Sequence, residues 1–345
     1  MNKIESGEKL DFNQVLIRPK RSTLSSRSQV SLDREFKFKY STCTWTGVPI
    51  IAANMDTTGT FEVYHCLKQH KIVTALHKFY TLEDYQRHYH LDPDYFMVST
   101  GISDNDFSNL ETIVSSIPCK WICIDVANGY MEALVIFCQK VRQRFPEKII
   151  VAGNIVTREM AEELILNGKV DVCKAGIGPG SVCTTRLKTG VGMPQLSAIL
   201  ECADAAHGVG GHIISDGGIT CPGDMAKAFG AGADFVMVGG QFAGHSQNPG
   251  DIIEENGKQY KMFYGMSSEK AQETHFGKMN SYRSSEGRVM KIPYKGDLNN
   301  TVQDYLGGLR SACTYINAKT IKQMAKCTTF VRVSQQVNNH FNGGT

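Results

Sequence analysis

The sequence predicts an α/β fold, a (β/α)8 TIM barrel carrying an N-terminal arm and a C-terminal active-site flap, and three observations predict it. Eight short apolar runs recur between residues 48 and 239. Segments with helical spacing and cap residues separate several of them. Glycine or polar residues follow the runs, at the strand ends where such a barrel builds its working face. A length of 345 residues exceeds an ordinary domain but suits one barrel with inserted loops.

Residues 1–47 read as a lead-in arm with short strands. An apolar stretch at 10–17 is followed by Arg18-Pro19-Lys20-Arg21 and then by the serine-rich 22–28, without a sustained period. Residues 48–247 form the barrel core, with buried strands at 48–55, 72–77, 95–99, 121–127, 148–153, 170–175, 212–216 and 235–239. Continuous apolar runs of this length suit strands covered on both faces. Asp104-Asn105-Asp106-Phe107 opens a helix that continues through Leu110, Ile113, Val114 and Ile117. Thr157-Arg158-Glu159-Met160 is a capping pattern before Ala161, Leu164 and Ile165, with Gly168 as the stop, and Pro222 opens a segment closed by Gly230. Residues 248–300 are polar, glycine-rich and poor in periodic segments, which reads as a functional loop or a disordered insert. Residues 301–345 restore helical character before the tail. The expectation is one catalytic domain; an open doubly wound sheet competes, but rarely needs eight uninterrupted parallel units.

Apolar and charged contents of 41% and 21% are globular values, and a net charge of +3 is too small to argue for nucleic acid or an anionic membrane. Eleven cysteines without regular spacing make no disulfide framework. Cys123 and Cys173 lie inside apolar runs, as buried thiols of a reducing compartment do. There is no Cys-x-x-Cys pair for zinc, no signal-peptide core at the start, and no run approaching the roughly 20 apolar residues of a membrane helix. A soluble, cytoplasmic protein is the expectation.

The chemistry concentrates in Gly176-Ile177-Gly178-Pro179-Gly180-Ser181-Val182-Cys183-Thr184-Thr185-Arg186, directly after the sixth run. Backbone N–H groups of such a loop can cradle a phosphate, and Cys183 sits among hydroxyls and next to a cation, Arg186. From these residues alone two readings stand: a nucleophilic thiol, or a glycine-rich turn with a passive cysteine. The other strand ends supply Asn54, Lys78, Asp125, Asn154, Asp216-Gly217-Gly218 and Gly239-Gly240. Glycine pairs after the seventh and eighth strands are where this fold tends to hold phosphate. Asp216 reads otherwise as a helix cap, and Lys78 as a structural partner of a barrel carboxylate.

The cysteine loop, together with Lys188-Thr189-Gly190-Val191-Gly192 and Pro194-Gln195-Leu196-Ser197-Ala198, resembles the IMP dehydrogenase/GMP reductase family, and Cys-Thr-Thr-Arg resembles its GMP reductase branch. The resemblance covers nearly the whole chain. It implies NADPH-dependent reductive deamination of GMP to IMP and ammonia through a cysteine thioimidate, with Cys183 attacking C2 and Thr185 and Glu286 relaying the proton to the leaving amine. It implies that Asp216 binds the ribose, and that Ser181, Gly217, Gly218, Gly239 and Gly240 hold the phosphate, with Tyr264 as a further donor. Gly265, Met266 and Ser267 lie along the purine edge, and Arg283, Ser284, Ser285 and Gly287 complete the nucleotide site.

No Gly-x-Gly-x-x-Gly follows a strand, so the dinucleotide is expected across the barrel mouth. There the resemblance implies Lys78, Asp125, Val126, Ala127 and Gly178, with Met266, Tyr282 and Arg283 from the flap. Ser311, Ala312, Cys313 and Thr314, with Ser26 and Arg27 reaching a neighbouring subunit's dinucleotide, complete the contacts. It further implies a homotetramer and a monovalent cation, K+, held by loop carbonyls of Gly178, Gly180, Cys183 and Arg186. Two rivals remain at this stage. One is an IMP dehydrogenase without its regulatory insert, against which stand the order Tyr282-Arg283 and the presence of Glu286. The other is a non-catalytic purine-nucleotide sensor, against which stands the joint retention of Cys183, Thr185 and Glu286.

Overall fold

A computed structural model describes residues 4–88, 90–276 and 287–334. Its centre is a closed barrel of eight parallel strands. In chain order they are Ile50–Ala52, Val73–Leu76, Phe96–Thr100, Trp121–Asp125, Ile149–Ile155, Val172–Ala175, His212–Asp216 and Phe235–Val238. The eighth pairs with the first, Val236 opposite Ile50 and Val238 opposite Ala52, which closes the barrel and excludes the open sheet.

The strands are apolar throughout because both faces are buried. Ile51, Trp121, Cys123, Val172, Ile214, Phe235 and Met237 point into the barrel. Their neighbours Ile50, Ile122, Cys173, Ile213 and Val236 pack outward against the helices. Each large aliphatic or aromatic side chain so buried is worth about 1.5–3 kcal/mol relative to exposure. The barrel floor is closed by an arm hairpin, Arg34–Lys37 with Thr44–Gly47. Phe36 stacks on Phe235 with ring centroids 4.3 Å apart, and Trp45 meets Trp121 edge-on at 5.7 Å. A second arm strand, Val15–Ile17, pairs antiparallel with Phe330–Arg332 and ties the two ends of the described chain together.

The helix Asp104–Ser116 starts on a capping box: the Ser103 hydroxyl accepts from the Asp106 N–H, and the Asp106 carboxylate accepts from the Ser103 N–H. The helix Arg158–Leu166 follows Thr157, which sits at the cap position without a side-chain cap bond. Pro222 occupies the first turn of Pro222–Gly230. Among the described residues, no helix is long and apolar enough to cross a membrane.

The stretch 248–300 departs from the expected irregular loop. It folds a three-stranded antiparallel sheet, Ile253–Glu255, Lys258–Tyr264 and Val289–Pro293, with a helix at Glu269–Phe276. The long helix Leu298–Ile316 also begins inside it, capped by Asp297. The sheet is hard to foresee because one buried position of its central strand is a lysine. Lys261 is 4% exposed, and its ammonium donates to the Asn248 carbonyl at 2.6 Å.

Candidate active site

The sixth barrel strand delivers the chain into the cysteine loop. There the Cys183 N–H donates to the Gly180 carbonyl at 3.1 Å, closing a tight turn that leads into the short helix Thr185–Thr189. Gly178 has φ +83°, and a Cβ there would stand 2.6 Å from Arg186 Cγ, so the arginine stem lies flat across the loop. The Arg186 guanidinium donates to the Met193 carbonyl at 2.5 Å and reaches the Asp11 carboxylate at 3.5 Å. These bonds hold the loop shape.

Cys183 is half-buried, and its thiol donates to the Thr185 hydroxyl oxygen at 3.2 Å. The flap reaches the same point: Gly287 forms an antiparallel bridge with Cys183, and the Arg288 N–H donates to the Val182 carbonyl at 3.0 Å. The Arg288 guanidinium adds two bonds to the Ser181 carbonyl, at 2.6 and 3.0 Å. Sequence reading passed over Arg288, which nothing local distinguishes from a solvated cation.

Three strand-end loops converge beside this thiol. A Cβ on Gly240 would stand 2.9 Å from Ser181 Oγ, and one on Gly217 3.1 Å from Pro179 Cγ and 3.5 Å from the Gly180 nitrogen. Gly217 and Gly218 carry φ of +87° and +77°. Gly239 precedes a 3-10 turn, Gly240–Phe242. Gly217 and Gly240 thus both approach the Pro179–Ser181 turn, and backbone amides of such glycine loops can receive an anion.

At the inward-facing ends of the fourth, sixth and seventh strands lies a charge cluster whose centre sequence reading missed. Lys174 continues the inward parity of Val172 and is 2% exposed. Its ammonium donates to Asp125 at 2.5 Å and to Asp216 at 2.8 Å. Burial opposes its charge, but the two carboxylates outweigh burial and raise its pKa. Asp125 is likewise desolvated, yet Lys174, a hydrogen bond from Asn54, and Lys78 hold its pKa below the usual value. Asn154 donates to Asp216 at 2.8 Å and to the Gly176 carbonyl at 2.7 Å. Lys78 is half-buried, with its ammonium 5.5 Å from the Phe79 ring, while Val126 is half-buried and Ala127 exposed. Gln195 is fully buried under the loop and donates to the Ala175 carbonyl at 2.9 Å.

On the flap side Gly265 packs against the cysteine loop: a Cβ there would lie 3.2 Å from the Val182 carbonyl oxygen. The Met266 sulfur accepts the Asp56 N–H at 3.3 Å, and Ser267 is exposed. Tyr264, expected as a phosphate donor, instead donates its hydroxyl to Asp56 at 3.2 Å, and burial pushes its pKa up to about 12. Asp56 also accepts from His275. Tyr282, Arg283, Ser284, Ser285 and Glu286 lie outside the described residues.

The remaining expected dinucleotide contacts cluster away from the mouth. Ser26 caps a short turn, accepting from the Ser28 N–H, and Arg27 is exposed; this turn packs on the helix Leu298–Ile316 that carries Ser311, Ala312 and Thr314. Cys313 differs from its neighbours: it is fully buried in the core, which pushes its thiol up to about 12, so only its backbone is left for a ligand. No described contact joins this group to Lys78 or Asp125.

Comparison with known proteins bears on what this arrangement does. A family model described as IMP dehydrogenase / GMP reductase domain matches residues 9–340. The chain is 58% identical over 346 residues to GMP reductase of Caenorhabditis elegans, covering 99% of this chain and 96% of that protein. It is 57% identical to GMP reductase 2 of Homo sapiens, covering 99% of both, and 57% identical to GMP reductase of Yersinia pestis (strain Pestoides F), covering 98% of this chain and 99% of that one.

Proposed function

The chain belongs to the IMP dehydrogenase/GMP reductase family, and on that premise we propose that it is a GMP reductase acting as one catalytic domain: GMP, NADPH and a proton give IMP, ammonia and NADP+. The observation that carries the reading is the Cys183 thiol, 3.2 Å from the Thr185 hydroxyl, where the loops of Ser181, Gly217 and Gly240 meet. A purine nucleotide whose phosphate lies on those amides, with its ribose on Asp216, brings its base over the thiol.

In the proposed sequence the Cys183 sulfur forms a bond to C2 of GMP and its proton leaves through the Thr185 hydroxyl. The amino group at C2 then departs as ammonia, taking a proton that Thr185 and Glu286 deliver, and a thioimidate remains. NADPH, when bound, supplies the hydride to C2. The carbon–sulfur bond then breaks and Cys183 regains its proton as IMP forms. Asp216 orients the ribose, Gly265, Met266 and Ser267 border the base, and Arg283, Ser284, Ser285 and Gly287 are the remaining proposed nucleotide contacts.

Two features suit a dinucleotide, one at the mouth and one away from it. At the mouth Lys78 acts on the Asp125 carboxylate, next in sequence to Val126 and Ala127, and Gly178 and Met266, with Tyr282 and Arg283, are the further proposed contacts. The exposed guanidinium of Arg27, which among the described residues has no ion-pair partner, suits the 2′-phosphate of NADPH. Ser26 and Arg27 belong to a turn that packs on the helix carrying Ser311, Ala312 and Thr314, and in the proposed homotetramer this group, with the backbone of Cys313, serves a neighbouring subunit's dinucleotide. Carbonyls of Gly178, Gly180, Cys183 and Arg186 form an all-oxygen donor set, which suits an alkali cation such as K+ better than a transition metal. Those of Gly180 and Arg186 each already accept one N–H, from Cys183 and Gly190, and keep a second lone pair. Bound there, the cation would hold the loop in shape.

The test is nicotinamide absorbance with GMP and NADPH, compared with IMP and NAD+. Oxidation in the first mixture supports the reductase. Reduction confined to the second identifies an IMP dehydrogenase, and binding without turnover in either identifies a sensor.

A further inference from the structure

We propose that Lys174 is a positioning residue that couples the ribose site to the dinucleotide site by keeping Asp125 and Asp216 ionised together. The inference rests on the reading above, in which Asp216 accepts from the ribose and Asp125 faces the dinucleotide. Lys174 touches neither ligand. It is 2% exposed, and one ammonium reaches both carboxylates, at 2.5 and 2.8 Å.

Two carboxylates sharing one buried site cannot both stay ionised without a cation, because like charges at that range raise the pKa of one of them. The other groups facing the cluster do not replace Lys174. Lys78 acts on Asp125, and Asn54 donates to it. Asn154 donates to Asp216 and carries no charge. Cys123, one inward position below Asp125, stays a neutral thiol, pushed up to about 12 by burial. With Lys174 the four charged groups sum to zero; without it one negative charge is in excess, and a proton taken from water is the available remedy. Protonated Asp216 would lose acceptor capacity toward a ribose hydroxyl.

The experiment measures GMP affinity by calorimetry between about pH 6 and pH 9, alongside the KM for NADPH, in the full chain. Lys174→Met should weaken GMP binding by about tenfold or more near neutrality, recovering as pH rises and the shared proton leaves. Lys174→Arg, which keeps the charge, should retain the flat wild-type profile. In Lys174→Met/Asp125→Asn the like-charge pair is gone, so GMP affinity should return to within about twofold of wild type while the NADPH KM stays raised. The double variant carries the test if Lys174→Met does not fold. Lys174→Met binding as tightly as wild type, or equally weakly at every pH, would overturn the inference, as would a double variant no better than the single. A wild-type protein that does not bind GMP would instead overturn the functional reading itself.

Discussion

Asp56 and His275 meet at 2.6 Å across the boundary between barrel and flap. Asp56 follows the first barrel strand, and the same carboxylate oxygen accepts from Tyr264 while its backbone N–H donates to Met266. His275 lies face to face on Phe79, with ring centroids 3.4 Å apart. Asp56, 9% exposed, therefore holds three flap residues, two through its carboxylate and one through its backbone N–H, and Phe79, next to Lys78, completes the seat.

Asp56→Ala should unseat the flap without unfolding the barrel. Losing hydrogen bonds to a charged, buried acceptor costs about 1.5–3 kcal/mol each in comparable settings. Amide exchange across 258–276 should accelerate while that of the fourth to seventh barrel strands stays slow, as mass spectrometry can show. Uniform acceleration would instead make Asp56 a residue of global stability.

Cys183→Ala should abolish turnover yet preserve GMP binding, since Asp216 and the glycine loops remain. Calorimetry and a rate assay read the two separately. Appreciable turnover in the variant would remove Cys183 from the proposed chemistry.

Arg27→Ala should raise the KM for NADPH while barely changing that for NADH, because one charge-assisted contact is worth roughly 1.5–3 kcal/mol. Equal effects on the two cofactors would place Arg27 away from the 2′-phosphate.

The barrel floor predicts a pH dependence of stability. Buried Asp234 accepts from His207 at 2.7 Å and Arg34 at 2.7 Å, and faces His212 at 3.4 Å. Burial disfavours charge on both Asp234 and His212, yet their mutual interaction wins, lowering the carboxyl pKa with the help of His207 and raising that of His212. The raised histidine contributes stability that is complete below about pH 6.5, its unfolded value, and is lost as pH rises through the folded one. The lowered carboxyl contributes stability present above about pH 3.9 and lost as pH falls through its folded pKa. Melting temperatures should therefore decline on both sides of mildly acidic pH, and His212→Asn should flatten the alkaline decline while only lessening the acid one, which His207 still supports.

The barrel was legible because its strands are apolar on both faces, a pattern that survives without any knowledge of partners. The hydroxyl and glycine neighbours of Cys183 were legible because they are contiguous. Lys174 was not, since a lysine between Cys173 and Ala175 reads as a blemish in an apolar run. Counting by two from Val172 would have turned it inward, to the layer of Asp125 and Asp216. The pair Asp56 and His275 leaves no local trace, because its members are far apart in the chain and meet only when the flap folds back.

The last prediction separates the two halves of the proposed reaction. Hydride transfer needs the cysteine adduct and a well-placed nicotinamide, whereas ammonia departure also needs a proton donor. If Thr185 and Glu286 form that donor, Glu286→Gln removes the acid with little change of shape. With IMP and NADP+ but no ammonia, the Cys183 sulfur bonds to C2, hydride passes to NADP+, and one burst of NADPH should appear per active site. The variant should keep that burst, while its steady-state reduction of GMP falls by about 10²–10⁴-fold, the usual worth of general acid–base catalysis. Rapid-mixing absorbance reads the burst and a rate assay reads turnover. A joint fall would make Glu286 a residue that shapes the site, and no fall in either would mean that the proton comes from another group.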